Sequence, residues 1–131
     1  MTMSPKVLFR SAAVFNWLAA GAVLLMPAAL AQRLDLPPPP IATVYGQLAC
    51  MAIAVFGGMY WMVARDNLRY RPFVAIAIVT KFLAVAIVTG QWTAGTVAWP
   101  LAALSLVDIA WAVIFWRFLR RDGRARCKAC T

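Results

Sequence analysis

Two residues of opposite charge, Lys81 and Asp108, lie inside long apolar stretches of this chain. Lys81 interrupts the run IVTKFLAVAIVTG, and Asp108 is the only acidic residue within any apolar run. Each charge alone would cost about 3 kcal/mol at the middle of a membrane, so the two are expected to pair. Such a pair either fixes the register of its helices or, beside a cavity, relays protons or holds an anionic or polar ligand. Both interpretations stay open.

Three further side chains are candidates for the same polar cluster. Asn16 and Tyr60 lie in the first and second apolar runs and have the reach to join a network near the pair. Trp111 follows Asp108 by one helical turn, so its indole N–H is a candidate donor on the same face. Every apolar run would then contribute a polar or aromatic group to the cluster.

The C-terminal sequence RCKACT holds a C-x-x-C unit, Cys127 and Cys130, among basic residues. Nearby positive charge raises thiol reactivity, but a closed metal site needs four ligands, and the third cysteine, Cys50, lies in an apolar run. The first interpretation is a basic tail with two reduced thiols, and the alternative is a metal or thiol exchange shared with another chain. The chain has no histidine, which excludes the common haem, zinc-hydrolase and histidine acid–base chemistries. No cofactor or resident metal is predicted, and a non-enzymatic role is favoured.

The elements that carry these residues are predicted from hydropathy. Of the 131 residues, 64% are hydrophobic, and the apolar residues fall into four runs at about 5–26, 40–64, 72–90 and 99–117. Each run is long enough to cross a bilayer. We therefore predict an all-α fold, an integral membrane four-helix bundle that forms one domain over residues 1–131 and ends in a basic cytoplasmic tail at 118–131.

The net charge of +9 is concentrated in particular connections. Most Lys and Arg residues lie at the start of the first run, between the second and third, and at or after the end of the fourth, whereas Arg33 alone lies in the first loop. Cationic connections remain in the cytoplasm, so the charges predict antiparallel up-down helices with both termini cytoplasmic. The same explanation accounts for the basic residues without a nucleic-acid partner.

The depths of Lys81 and Asp108 follow from residue counts. Lys81 lies ten residues after Arg71, roughly 15 Å along a helix. Asp108 lies nine residues before Arg117, about 14 Å along its helix. Arg71 and Arg117 both mark the cytoplasmic boundary of the membrane. A short connection makes these two helices neighbours, so the charges are predicted to meet at one level.

Small residues recur every four positions in the second run, which indicates a groove for close helix packing. The groove packs either against another helix of this chain or against a second copy. The helix-packing residues are Gly46, Cys50, Ala54 and Gly58, with Gly57 beside the last.

The N-terminal run has a second interpretation. Ala29 and Ala31 form an A-x-A pattern after a basic and apolar stretch, as in a signal peptide. Cleavage before Gln32 would leave three spans. Retention is favoured because the apolar stretch is longer than a usual signal sequence and contains Asn16 and Trp17.

Several of these motifs resemble a family of small bacterial four-helix inner-membrane proteins. The resemblance rests on Asn16, FGGMYWMVARDNLRYRP at the second-to-third junction, Lys81 and the DIAW motif that begins at Asp108, and it covers most of residues 7–120. That family has no established activity. It is similar in size and span number to DoxX-like proteins, some of which are named as accessory subunits of respiratory or redox assemblies. The resemblance implies a four-helix bundle in the bacterial inner membrane and singles out Asn16, Lys81 and Asp108, but it implies no reaction.

Three functional hypotheses follow from the sequence. The first is a non-catalytic accessory component that packs against a membrane-protein partner or a second copy within the lipid bilayer. The second is a small transporter or permeation subunit that uses the intramembrane pair. The third is a thiol-redox or metal accessory protein that uses Cys127 and Cys130.

Overall fold

The computed structural model describes residues 4–33 and 44–129, with side chains described up to residue 121. All regular structure in these ranges is helical. The helices are α1 Pro5–Leu24, α2 Ala28–Arg33, α3 Val44–Arg65, α4 Arg71–Thr93 and α5 Trp99–Ala129. The helices α1, α3, α4 and the part of α5 up to Arg121 are long and apolar enough to cross a membrane. The predicted number of apolar spans is therefore confirmed for the described ranges.

Prolines lie at the beginnings of three of these long helices. Pro5 is the first residue of α1, where Ser4 Oγ accepts a hydrogen bond from the Val7 backbone N–H. Pro72 and Pro100 are each the second residue of their helices, α4 and α5. Proline fits there because its missing N–H would have no partner inside the helix. Pro40, predicted to begin the second span, lies outside the described residues.

The segment after α1 differs from the predicted loop. The first helix ends at Leu24, two residues before the predicted end at residue 26. A second, short helix, α2, begins directly after Pro27. The Pro27 carbonyl accepts hydrogen bonds from the N–H groups of Leu30 and Ala31. Proline has no N–H to lose at a helix start, and the alanine-rich residues that follow favour helix. The side chain of Ala31 is buried.

The fourth span also differs in length from the prediction. The helix α5 was expected to end near Arg117, but it continues to Ala129 through the basic tail. Arginine, lysine and alanine are strong helix formers, and no proline follows Pro100 to end the helix. The tail therefore extends the last helix as far as residue 129.

The turn between α3 and α4 is fixed by Asp66. Its carboxylate oxygen accepts hydrogen bonds from the backbone N–H groups of Leu68, at 3.1 Å, and Arg69, at 3.0 Å. An aspartate that binds the backbone two and three residues ahead is a common means of reversing a chain. The reversal brings the basic residues at the end of α3 and the beginning of α4 to the same end of the helices, which we call the cationic end.

The helices pack as two pairs, α1 with α3 and α4 with α5. Aromatic side chains at the cationic end join the pairs. The ring of Phe115 lies 5.3 Å from that of Phe9 and 5.1 Å from that of Tyr60, between ring centres. The buried core cluster around them consists of Leu8, Phe9, Ala12, Ala13, Tyr60, Val63, Ala64, Val74, Ala77 and Phe115.

This core occupies only the half of the helices near the cationic end. Among the described long helices, the buried residues farther along are few, namely Asn16, Ala20, Cys50, Gly57, Lys81, Val85 and Ala112. The core cluster that joins the two pairs does not include them. Of the predicted polar cluster, Tyr60 is therefore part of the shared core, whereas Asn16 and Lys81 lie outside it.

Candidate functional site: an intramembrane polar cluster

In the structure, Lys81 Nζ donates a hydrogen bond to Asp108 Oδ1. The two partners are buried to different degrees. The Lys81 side chain is 9% exposed, whereas the Asp108 side chain is 35% exposed. The lysine stem is therefore enclosed, while part of the carboxylate faces outward.

Contacts between α4 and α5 fix the level at which these charges meet. At the cationic end, Arg71 Nη2 donates a hydrogen bond of 3.0 Å to the Leu119 carbonyl oxygen. Lys81 and Asp108 lie farther from that end, by ten residues on α4 and eleven on α5. Similar counts along paired helices bring the two side chains to one level, as their spacing in the sequence predicts.

Asn16 and Tyr60 are both buried near this level, at 8% and 2% exposure. Asn16 Nδ2 donates to the Ala12 carbonyl oxygen of its own helix, at 3.0 Å. Among the described residues, no hydrogen bond connects either side chain to the Lys81–Asp108 pair. The predicted network is thus a group of neighbouring polar side chains rather than a hydrogen-bonded chain.

Trp111 contributes packing rather than the expected hydrogen bond. Its ring lies 5.8 Å from that of Phe15 and 5.7 Å from that of Phe115, between ring centres. Within the described part of the chain, its indole N–H has no hydrogen-bond acceptor. Trp111 therefore helps to hold α1 against α5, one turn beyond Asp108.

The small-residue ladder on α3 faces α1 at Gly57. A Cβ atom at Gly57 would lie 2.5 Å from Nε1 of Trp17, closer than real contacts allow. The same indole N–H donates to the Ala54 carbonyl oxygen at 3.0 Å. Gly58 faces open space, where a Cβ atom would meet nothing within 4 Å. The sequence predicted the small residues of this contact but did not identify Trp17 as their partner on α1.

Beyond the Trp17–Ala54 contact, α1 and α3 border an open groove with a volume of about 480 Å³, which we call the α1–α3 slot. Its walls are mostly apolar. Cys50 of the predicted ladder is buried in one wall, whereas Gly46 of the same ladder does not line the slot. Lining residues include Trp17, Ala20, Gly21, Leu24, Cys50 and Met51.

The candidate thiol and metal residues are only partly covered. The backbone of Cys127 lies in α5, its side chain is outside the described set, and Cys130 lies outside the described residues. Cys50 is a free, buried thiol. No group of three or more His, Cys, Asp or Glu side chains suited to a metal occurs within the described ranges. The C-x-x-C hypothesis stays a prediction.

Arginine side chains at the cationic end lie over aromatic rings. The Arg120 guanidinium is 4.0 Å from the ring centre of Trp116, and that of Arg10 is 5.6 Å from Trp61. Paired arginine and tryptophan side chains suit a boundary between lipid and water.

Comparisons with protein-family models, with curated proteins and with solved structures gave no match for this chain. The family resemblance of its motifs therefore stays a prediction.

Proposed function

We propose that this protein is a non-catalytic component of a membrane assembly in the bacterial inner membrane. Its four long helices run antiparallel, up and down, with both termini in the cytoplasm. The segregation of positive charge supports this orientation, because Arg10, Arg65, Arg71 and Arg117 fall at the same end of the helices. A reporter fused after residue 131 tests it: activity of a cytoplasm-dependent reporter is expected, and activity of a periplasm-dependent one would overturn the orientation.

The observation that carries the proposal is the partial exposure of Asp108. Its side chain is 35% exposed at the middle of an apolar helix, although one oxygen is bonded to Lys81. A carboxylate at this depth is costly unless protein or water surrounds it. A further contact in the membrane would cover the exposed part.

The surroundings of Asp108 favour a protein partner over an aqueous path. Leu104, one turn before it, is 60% exposed, and Val107 is 41% exposed. Such apolar neighbours suit contact with lipid or with another helix, whereas a path for ions or polar solutes is usually lined by polar groups. The partner is either another membrane protein or a second copy of this chain.

Site-specific photo-crosslinking tests this contact in native membranes. A photoreactive residue at Leu104 is expected to crosslink one partner in stoichiometric yield. The matched control is Ile87 on α4, which is 64% exposed and likewise apolar. Crosslinks to a defined protein from position 104 but not 87 support the proposal. Lipid adducts alone at both positions would contradict it.

A second candidate function is a permeation subunit. It is favoured by the position of the Lys81–Asp108 ion pair within two helices that are long and apolar enough to cross a membrane. Proton or solute flux into vesicles that disappears in Lys81→Met, while protein abundance is maintained, would support it. Equal flux in empty vesicles and in vesicles with the protein would exclude it.

A further inference from the structure

The α1–α3 slot is a second feature of the molecule, separate from the Lys81–Asp108 pair. Its volume of about 480 Å³ falls within the usual range of ligand pockets. The slot lies between two helices that are long and apolar enough to cross a membrane. Any occupant at this position therefore comes from the bilayer or is soluble in it.

The slot is an open groove that runs along α1 and α3, with Trp17 at one end and Leu25 and Gln47 at the other. Its floor is the Trp17 indole, which reaches across to the Ala54 carbonyl oxygen and fits over Gly57. Its rim is formed by Leu25, just after the end of α1, and Gln47, in the first turn of α3. Between floor and rim, Gly21 has no side chain and Cys50 has a small one, which leaves space along the two helices.

We propose that this slot binds one acyl chain of a membrane phospholipid. The mostly apolar walls match a hydrocarbon chain, and the chain enters lengthwise from the rim and ends against Trp17. The rim lies at the end of the helices opposite the cationic end. Arg33, which ends α2 shortly after the rim residue Leu25, is the only described cation in the connecting segments at that end. Its positive charge suits the phosphate of a phospholipid and gives no advantage to a neutral isoprenoid such as a quinone.

Gly21 offers a direct way to fill the slot. It lines the slot, and a Cβ atom there would meet nothing within 4 Å, so Gly21→Phe adds a ring without displacing the backbone. The matched control is Gly90→Phe, since Gly90 also lies in a helix, also faces open space and is on α4, away from the slot. Cys50→Met narrows the slot from its α3 wall and serves as a second, smaller test.

Native mass spectrometry of the purified full chain, titrated with a phosphatidylglycerol of defined acyl length, measures the binding. The parent is expected to retain one phospholipid after delipidating washes. Excluding about two methylene groups from the slot weakens binding about tenfold, the effect expected for Gly21→Phe and, more weakly, for Cys50→Met. Gly90→Phe is expected to bind like the parent, and Arg33→Gln to weaken binding of this anionic lipid.

Three results would overturn the proposal. The first is equal lipid retention by the parent, Gly21→Phe and Gly90→Phe, which would indicate only unspecific lipid around the helices. The second is a parent that retains no phospholipid although its thermal transition shows that it is folded. The third is retention of an isoprenoid quinone in place of the phospholipid. Because the slot lies on α1 and α3, these outcomes are independent of crosslinking at Leu104 on α5.

Discussion

Replacing the partners of the Lys81–Asp108 pair singly and together tests whether the pair stabilises the helices. Asp108→Leu leaves an ammonium group whose side chain is only 9% exposed, so almost no solvent or lipid headgroup reaches it. Lys81→Met leaves a carboxylate that is 35% exposed and therefore easier to solvate or protonate. The two single variants should differ in stability for this reason.

The expected sizes follow from the cost of unpaired charge at mid-membrane. Asp108→Leu is expected to lower the free energy of unfolding by about 3 kcal/mol, and Lys81→Met by about 1.5 kcal/mol. The double variant leaves no charge unpaired and should lose only about 1.5 kcal/mol. For a chain of this length, 1 kcal/mol corresponds to a shift of about 3–4 °C in the thermal midpoint.

Thermal midpoints in one detergent and abundance in membranes are the measurements. Thr80→Val is the matched control, because the Thr80 hydroxyl donates only to the Ile76 carbonyl of its own helix, beside Lys81. That variant should shift the midpoint by less than about 2 °C. Additive losses in the double variant would refute the reasoning, as would single variants as stable as the parent. Either result would indicate that the Lys81–Asp108 pair does not mainly stabilise the helices, and would favour a role in binding or proton transfer.

Three further predictions concern the packing of α1 on α3 and the turn before α4. Gly57→Ala should destabilise by about 1–3 kcal/mol, because the new methyl group overlaps Trp17, whereas Gly58→Ala should be neutral or stabilising in the same thermal assay. Trp17→Phe should cost about 1 kcal/mol through loss of the hydrogen bond to the Ala54 carbonyl, and an unchanged midpoint would contradict that contact. Asp66→Ala should lower the free energy of unfolding by about 1 kcal/mol, while Asp66→Asn, which keeps an acceptor for the turn, should retain most of the stability.

The four apolar helices were predictable because hydropathy and length depend only on the local sequence. The level at which Lys81 and Asp108 lie was also predictable, since a helix advances by a fixed rise and a short connection forces neighbouring helices to begin together. These arguments need no knowledge of how each helix is rotated about its axis. They therefore succeed wherever depth alone decides which residues come near each other.

Contacts that depend on helix rotation were not predictable in the same way. Gly57 and Gly58 are adjacent and chemically identical, yet only Gly57 lies against Trp17. Trp111 was a candidate hydrogen-bond donor from its spacing alone, and in the structure its ring packs between Phe15 and Phe115. A rotation of one residue, about 100° around a helix, changes which partner a side chain meets. Packing among the four helices determines that rotation, so it cannot be predicted from the sequence of any one helix.

The position of the shared core explains why the two proposed contacts lie on different helix pairs. Aromatic packing around Phe9 and Phe115 holds the pairs together near the cationic end, and the core cluster does not extend past the polar residues. Farther along, each pair has to complete its own packing. The α1–α3 pair does so around a narrow slot that suits a hydrocarbon chain, whereas the α4–α5 pair leaves part of Asp108 exposed. A charged group at that depth requires protein or water rather than lipid, so the partner contact is expected on α5 and the lipid contact on the α1–α3 slot.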